Sequence, residues 1–349
     1  MSEKIITADQ LSEILKKYSL GELASSLDQI TNGWTNVTIK FRTKPNDQIF
    51  IVRQYVPGNL RNISRENVEF ELNFIAYLAN ELNLPVVPVL NPPGILTINN
   101  DVYVALFPFV EGVKYLNTSS NPSRELWQIL EISYFLGRMH SNLTTKKYEI
   151  LQTNRCSVNY VAVKYELVNS CENFAIDYPD LYQRIMRMID NHTQVIPLIS
   201  GKNEQEQFQR QLEKNLPTGY IHADIHDDNV LFHPNQKKLV AVLDFDDMYI
   251  GPLLIDLAMT LSLWCSVGSE FKMDYAKQFL LNYQQERGMS LTIDEWNLLE
   301  LYCYLTILNQ ILFTIEAEKD SKSTRDMINE LLAPIEDIDK EKDFIEKLR

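Results

Sequence analysis

The stretch of sequence that decides the fold reads Tyr-Ile-His-Ala-Asp-Ile-His-Asp-Asp-Asn-Val-Leu-Phe at residues 220–232, and Ala-Val-Leu-Asp-Phe-Asp-Asp follows at residues 241–247. In both stretches a short apolar run adjoins a cluster of carboxylates, and a turn containing Pro, Asn and Lys separates the two runs. This pattern predicts a β-hairpin. The hairpin would bring Asn229, at the start of one strand, beside Asp244, at the end of the other.

The polar residues of this hairpin have the chemistry of a metal and proton-transfer site. An Asn carbonyl and a carboxylate are hard oxygen donors of the kind that Mg²⁺ accepts beside substrate phosphates, so Asn229 and Asp244 are the predicted metal ligands. Asp224 precedes Asn229 by five residues and is the predicted catalytic residue, able to accept a proton from a hydroxyl group. The order His222, Asp224, Asn229 and then Asp244-Phe245 is that of a kinase catalytic loop and its metal-binding Asp.

The same residues carry a family resemblance. Residues 220–232 and 241–258 resemble the signature of the aminoglycoside phosphotransferase and choline kinase-like superfamily. The form Asp-Phe-Asp-Asp-x-x-x-Gly-Pro-x-x-x-Asp-Leu-Ala is most similar to its bacterial homoserine kinase-like and stress-response kinase-like branches. The segments 71–89, 106–112 and 136–140 share the resemblance, which covers most of residues 30–265 and weakens in the helical tail.

The order of predicted elements agrees with the fold that this resemblance implies. Up to residue 107 the chain reads mainly as strands with one prominent helix; beyond residue 112 helical patterns dominate. We therefore expect an α+β, bilobal, protein-kinase-like fold with an N-terminal nucleotide-binding lobe (1–107), a hinge (108–112) and a larger helical C-terminal lobe (113–349). The predicted strands are 37–41, 48–55 and 102–107, and the predicted helices are 3–20, 64–82, 123–142, 160–190, 204–214, 253–266, 270–287 and 293–317.

Spacing after the metal Asp separates two kinds of kinase. Protein kinases need a long activation segment at this point, but Asp256-Leu-Ala258 arrives only 12 residues after Asp244. A small-molecule acceptor is therefore favoured over a protein. Asp256 itself either caps a helix N-terminus or, as the resemblance implies, is a buried carboxylate that holds the catalytic loop in shape. His222 likewise resembles a loop-shaping histidine more than a proton donor.

The nucleotide side of the site rests on a strand and a helix. The resemblance implies a phosphate-binding Lys on the strand 48–55, and Arg53 occupies its place; an Arg there could grip phosphate oxygens through a bidentate fork. The alternative is an exposed Arg on an edge strand. Glu71 falls inside the apolar stripe of the helix 64–82, whereas Glu69 falls on its wetter face. Because a carboxylate in an apolar stripe needs a partner, Glu71 is the predicted partner of Arg53.

The remaining nucleotide contacts are predicted from weaker signals. The turn Asn32-Gly-Trp-Thr-Asn36 contains a single glycine and lacks a GxGxxG pattern, but it resembles the degenerate phosphate-covering turn of the family. Thr35 and Asn36 are its candidate contacts. The segment that begins with Phe107-Pro-Phe109 resembles the adenine-binding hinge, where the backbone rather than the side chains would pair with the base.

Composition and charge exclude some classes of binding partner. The chain has 47 acidic and 33 basic residues, a net charge of −14 and a pI near 4.9, which argues against nucleic-acid binding. It begins without a secretory pattern, its apolar run at 253–267 is too short to span a bilayer, and its four cysteines lack a C-x-x-C spacing. A cytoplasmic protein with no membrane or nucleic-acid partner is expected; its oligomeric state is left open.

The sequence thus predicts an enzyme that uses ATP and Mg²⁺ to phosphorylate the hydroxyl group of a small molecule. Homoserine or an amino alcohol is the favoured acceptor. An aminoglycoside, a protein side chain as in the stress-response branch, and a catalytically dead nucleotide-binding module are the alternatives. Asp246, Asp247, Glu316 and Glu318 could meet an ammonium group of the acceptor, although ordinary surface acids would look the same.

Overall fold

The fold is described from a computed structural model of the chain, which divides into two compact units. The first unit runs to Val113 and also includes Val240–Asp246; the second contains most of the remaining chain. The sequence predicts a first lobe of residues 1–107 alone, which does not include the segment Val240–Asp246. The described residues are 6–24, 27–30, 36–55, 63–90, 96–98, 102–141, 158–317 and 322–349.

A six-stranded antiparallel sheet forms the centre of the first unit. Its strands, in spatial order, are β1 (Glu22–Leu23), β3 (Val37–Lys44), β4 (Gln48–Tyr55), β6 (Val102–Pro108) and β5 (Leu96–Ile98), while β2 (Asp28–Ile30) pairs with β3. The strands β3, β4 and β6 confirm the strands expected at 37–41, 48–55 and 102–107. The predicted turn joins β3 to β4, whose pairing begins at Thr43 opposite Gln48.

Each face of this sheet is covered by a helix. The helix Ala8–Lys17 begins at a Thr7 capping box and buries Leu11 and Leu15 against Ile39 and Val52 of the sheet. The helix Arg65–Asn80 begins at Ser64, whose side chain accepts the N–H of Asn67. On this second face the packed residues are Tyr55, Val68, Leu72, Ala105 and Phe107.

The segment Val240–Asp246 is held in the first unit by main-chain and ring contacts. The N–H of Val242 donates to the carbonyl of Pro85 (2.8 Å), and Val242 forms a parallel bridge with Val86. The ring of Phe245 meets that of Phe74 edge-on at 6.2 Å. These contacts place Asp244 and Asp246 beside the sheet rather than in the helical unit that follows them in sequence.

The second unit is mainly helical. Its helices are Leu126–Met139, Tyr160–Asn169, Glu172–Asp177, Pro179–His192, Lys202–Glu213, Leu253–Trp264, Met273–Arg287, Ile293–Ala317, Lys322–Ile338 and Phe344–Leu348. One long helix at 160–190 is a wrong prediction: the chain breaks twice there. The second break lies at Pro179, which begins the last of the three helices, since proline has no N–H to continue the one before it. The strands Thr218–Ile221 and Tyr249–Pro252 pair antiparallel.

The helix Ile293–Ala317 passes a test of length and hydropathy for a membrane span, and among the described residues it is alone in doing so. Of its most apolar window, 67% is buried inside the structure. Burial of this extent is also that of a core helix in a globular unit, so length and hydropathy alone are weak evidence here. The helix predicted at 293–317 is thereby confirmed, although at the sequence level only the shorter run at 253–267 is considered as a possible membrane span.

Candidate active site

The main chain of the catalytic loop is hydrogen-bonded to one buried carboxylate. Asp256, at the fourth position of the helix Leu253–Trp264, accepts the main-chain N–H of His222 and of Ala223, both at 2.7 Å. Ala223 has a φ of 65°, a conformation that costs a residue with a Cβ about 1 kcal/mol or more. Asp256 is completely buried. Of its two expected roles, the structure supports the one that holds the loop in shape.

A histidine and a tyrosine lie behind Asp256. His140 Nε2 is 3.2 Å from the Asp256 carboxylate, and His140 Nδ1 is 3.0 Å from the hydroxyl of Tyr283. Burial lowers the pKa of His140, and the hydrogen bond with Asp256 opposes that shift only in part. A neutral His140 therefore donates from Nε2 to Asp256 and accepts the Tyr283 hydroxyl at Nδ1. No signal in the sequence points to Tyr283.

Within the loop, the predicted metal ligand orients the predicted catalytic residue. The side-chain N–H groups of Asn229 donate to the main-chain oxygen of Asp224 (3.0 Å) and to its carboxylate Oδ2 (2.9 Å). His226 Nε2 lies 3.4 Å from the same Oδ2. Burial alone would lower the pKa of His226, but the charges of Asp224, Asp228 and Asp227 outweigh it and raise the pKa to about 9. Two groups thus approach one oxygen of Asp224.

The far side of the loop is anchored by residues that the sequence analysis missed. Asp227 accepts hydrogen bonds from the buried guanidinium of Arg124 and from the N–H of Asn117 (2.7 Å). The Arg124 guanidinium lies 3.8 Å from the ring centroid of Trp264, and Trp264 Nε1 donates to the carbonyl of Ile225. Neither Arg124 nor Trp264 belongs to a motif, so only the folded chain reveals them.

In the first unit, Arg53 lies between two carboxylates. Its Nη2 is 2.6 Å from Oδ1 of Asp244 and 2.6 Å from Oδ1 of Asp246. The Arg53 side chain is only 15% exposed, which excludes the alternative of an exposed strand arginine. Burial by itself would lower the pKa of Arg53, but Asp244 and Asp246, together with Tyr55 and Glu71, raise it well above its usual range.

Glu71 is buried, as the helical phase predicted, whereas Glu69 lies partly exposed and binds Arg65 at 2.8 Å. The hydroxyl of Tyr55 donates to the Glu71 carboxylate at 2.9 Å. The charge of Glu71 also helps to keep Arg53 protonated. A direct Arg53–Glu71 ion pair stays a prediction.

The two candidates from the phosphate-covering turn have different outcomes. Thr35 lies outside the described residues. Asn36 is described: it is buried and directly precedes β3, and its side-chain N–H donates to Oδ2 of Asp246. Asp246 is one of the acids that, by sequence alone, could meet an ammonium group of the acceptor, but its side chain is only 5% exposed.

The segment expected to bind adenine is the end of β6. The N–H of Phe109 donates to the carbonyl of Ile49 (3.1 Å), so this donor is already used in the sheet. The expectation that the backbone of Phe109 pairs with the base is therefore corrected for its N–H group. Phe107 lies opposite Ile51. Antiparallel strands alternate their hydrogen-bonding direction, so Phe107 also turns its main-chain groups toward β4. The carbonyl of Pro108 turns to the opposite edge, where Leu106 accepts the N–H of Leu90.

The donor chemistry at the two predicted metal ligands fits Mg²⁺. Because the Asn229 amide nitrogen faces Asp224, its carbonyl oxygen turns to the opposite side. Asp244 has a φ of 64° and a side chain that is 35% exposed. Among the described residues no group of three or more His, Cys, Asp or Glu side chains could hold a metal. Mg²⁺ does not require such a cluster, because proteins usually bind it through one or two carboxylates together with substrate phosphates.

Comparison with known proteins identifies the family of this site. The family model described as "Phosphotransferase enzyme family" matches residues 26–289. The chain belongs to this family. The match includes the catalytic loop (residues 222–229), the metal segment (residues 244–246) and the strand β4, which contains Arg53. The predicted superfamily is thereby confirmed. The chain is a phosphotransferase of the kinase type.

Individual relatives agree with this assignment. A homoserine kinase of Gluconobacter oxydans (strain 621H) is 26% identical over 289 residues, which are 82% of this chain and 80% of the relative. A choline kinase of Cryptosporidium parvum Iowa II has a TM-score of 0.60 at 14% identity and covers 96% of both chains. A spectinomycin phosphotransferase solved with ADP and spectinomycin has a TM-score of 0.61 at 14% identity, covering 99% of this chain and 98% of its own. The two structures bear on the fold alone, and the predicted fold class is confirmed.

Proposed function

We propose that the protein is an ATP-dependent kinase that transfers the γ-phosphoryl group to a hydroxyl of a small molecule, with homoserine or a similar amino alcohol as the favoured acceptor. The observation that carries this proposal is the arrangement of Asp224. Its carboxylate is held by Asn229, in a loop whose main chain is bound to the buried Asp256. A carboxylate fixed in this way can orient a hydroxyl and accept its proton.

The chain's own residues supply positioning and charge. Asp224 would accept the proton of the attacking hydroxyl as its oxygen bonds to the γ-phosphorus and the bond from that phosphorus to the β–γ bridging oxygen breaks, with ADP as the leaving group. Arg53 would bind the phosphates of ATP, with Glu71 contributing to its charged state. Asn229 and Asp244 would hold Mg²⁺, which when bound neutralises charge on the phosphates. Most of the rate gain would then come from placement and electrostatics.

The adenine base would bind at the end of β6. Because the N–H of Phe109 is used within the sheet, the carbonyl of Pro108 is the better acceptor for an exocyclic amine of the base. Side chains on this segment would contribute stacking and apolar contact rather than pairing. Phe107 is buried, and the ring of Phe109 lies under the amine of Lys40 at 3.9 Å.

Two observations support a small acceptor. Between Asp244 and the helix that begins at Leu253, the chain forms only a short turn (Phe245–Asp247) and the strand Tyr249–Pro252. An activation segment that could hold a protein substrate has no room there. The curated homoserine kinase matches most of both chains, which favours a hydroxy amino acid over an aminoglycoside. The cytoplasmic location and the absence of nucleic-acid and membrane partners remain predictions.

A screen of acceptors tests the proposal. Purified protein with Mg·ATP is assayed for ADP release, coupled to NADH oxidation, against homoserine, serine, choline, ethanolamine, simple sugars, spectinomycin and gentamicin. We expect release to depend on homoserine or an amino alcohol, with the phosphorylated product seen by mass spectrometry. Turnover with an aminoglycoside alone would overturn the acceptor class but leave the kinase. ATP binding without transfer to any acceptor would overturn the enzyme and support a nucleotide-binding module.

A further inference from the structure

Asp246 is the most deeply buried acid in the metal segment, and no step of the proposed reaction uses it. Its side chain is 5% exposed, whereas that of its neighbour Asp244 is 35% exposed. A buried carboxylate is costly unless it is hydrogen-bonded or paired with a cation. The reason for an acid at position 246 should therefore lie in what its two oxygens contact.

Each oxygen of Asp246 contacts a different residue of the nucleotide side. Oδ2 accepts a hydrogen bond from the side-chain amide of Asn36. Oδ1 lies 2.6 Å from Nη2 of Arg53. Asn36 is the last residue of the predicted phosphate-covering turn, and Arg53 is the predicted phosphate-binding cation. One carboxylate thus joins two predicted phosphate contacts that are 17 positions apart in sequence.

We propose that Asp246 is a positioning residue for nucleotide binding: it fixes the guanidinium of Arg53 and ties it to the base of the phosphate-covering turn through Asn36. The proposal rests on the proposed function, because it assumes that Arg53 meets the phosphates of a nucleotide. It removes Asp246 from the acids that could recognise an ammonium group of the acceptor, since Oδ2 accepts the Asn36 amide and Oδ1 lies in ion-pair contact with Arg53 inside the first unit.

The need for a second carboxylate follows from the expected role of the first. Arg53 lies between Asp244 and Asp246, and Asp244 is the predicted metal ligand. A carboxylate that binds a metal has less charge to offer a guanidinium. Asp246 would then remain as the carboxylate that orients Arg53.

The test is the affinity for ADP, measured by titration calorimetry in excess Mg²⁺ and again in EDTA. We expect Asp246→Asn to weaken ADP about tenfold in both conditions, equivalent to about 1.4 kcal/mol. Loss of a negative charge alone would strengthen the binding of a polyanion, so a weakening has the sign of lost positioning. The control is Asp47→Asn, which removes the same charge from an exposed acid in the same unit and should leave both affinities unchanged.

The measurements with Mg²⁺ and with EDTA distinguish a positioning role of Asp246 from a role as a metal ligand. If Asp246 were a metal ligand, the variant would lose affinity in Mg²⁺ and keep it in EDTA, and the proposal would fail. An affinity equal to that of the Asp47→Asn protein in both conditions would also overturn it. Absence of ADP binding by the unaltered protein would instead reject the proposed function, so the two failures are distinguishable.

A second measurement needs no nucleotide. Urea unfolding of Asn36→Ala, Asp246→Ala and the double variant forms a double-mutant cycle. We expect the double variant to lose less stability than the sum of the single losses, because each change removes the same hydrogen bond. Strict additivity would overturn the Asn36–Asp246 contact. Should Asp246→Asn not fold, Asn36→Ala alone is taken to calorimetry, where it should weaken ADP in Mg²⁺ and in EDTA alike.

Discussion

The catalytic loop at 222–229 and the metal segment at 244–246 contain the two halves of the predicted chemistry, and they are held by different means. Each contains a non-glycine residue with positive φ, Ala223 at 65° and Asp244 at 64°. The catalytic loop is fixed through its main-chain N–H groups, which bind the buried Asp256. The metal segment is fixed through side-chain charges, above all Arg53.

This difference predicts which of the two segments should respond to nucleotide and metal. The groups around Asp256 are main-chain amides and a neutral histidine, none of which a nucleotide would bind. Arg53 and Asp244, in contrast, are the groups that phosphate and metal would engage. We therefore expect changes in the loop, apart from the predicted metal ligand Asn229, to alter turnover and stability, and changes around Arg53 to alter nucleotide binding.

The largest expected effect comes from Asp224→Ala. Removal of a general base typically costs 10²–10⁴ in rate, so we expect kcat to fall about a thousandfold. The affinity for Mg·ADP should change less than threefold, because Asp224 lies in the half that does not bind the phosphates. Steady-state kinetics and calorimetry on the same preparation check both expectations. Near-normal kcat would show that Asp224 is not the base, and a parallel loss of affinity would erase the contrast between the halves.

Asp256→Asn should have the next largest effect. The amide presents one oxygen and one NH₂ group where two oxygens now accept three donors, so at least one N–H would face another donor. A buried donor left without its acceptor costs about 1–3 kcal/mol, and three donors share this carboxylate, so we expect a loss near the upper end of that range. Urea unfolding should show this loss, and kcat should fall because Ala223 loses the contact that keeps its positive φ.

Asp180→Asn is the matched control for this variant. Asp180 lies in the same unit and pairs with Arg325 on the exposed surface. Exposed pairs contribute about 1 kcal/mol or less, so its unfolding curve should stay close to that of the unaltered protein. An Asp256→Asn protein as stable and as active as this control would show that the loop keeps its shape without the buried carboxylate.

The comparison also shows what could be predicted from the sequence. Local signals located β3, β4, β6 and the helix Arg65–Asn80, and the apolar phase of that helix gave the burial of Glu71 rather than Glu69. The motif order located Asp224 and Asn229 in one loop. These features depend on residues that are close together in sequence, or on spacing within a motif.

The contacts that escaped prediction join residues distant in sequence. Arg124 binds Asp227 across 103 positions, and Asn36 binds Asp246 across 210. Asn36 was chosen as a phosphate contact, but its partner was not. The break at Pro179 is a different case, because the proline is visible in the sequence and its missing N–H cannot continue the helix before it. Periodicity therefore gives the phase of a helix better than its ends.

A smaller effect is expected at His226, which approaches Asp224 from within the catalytic loop. His226→Leu removes both the charge and the polar contact 3.4 Å from Asp224 Oδ2, so we expect kcat to fall about fivefold with KM for ATP unchanged. His226→Gln can still donate a hydrogen bond and should recover part of the loss. His233→Leu, in the turn after Phe232, should leave kcat unaltered. A rise in KM with constant kcat would place His226 on the nucleotide side instead.

The smallest effect concerns Glu213, a half-buried acid of the helical unit. Glu213 accepts hydrogen bonds from Tyr302 (2.7 Å) and Gln209, both neutral, and burial raises its pKa. A carboxyl group with a raised folded-state pKa stabilises the fold most below its unfolded value of about 4.3 and less as the pH rises through the folded value. Glu213→Gln should therefore increase the free energy of unfolding by up to about 1 kcal/mol at pH 8 and by little at pH 5, measured by urea unfolding.

Glu206→Gln, on an exposed face of the same helix, should show no such difference between the two pH values. A loss of stability at pH 8 would mean that Glu213 is stabilised as a carboxylate, in the way that we infer for Asp256.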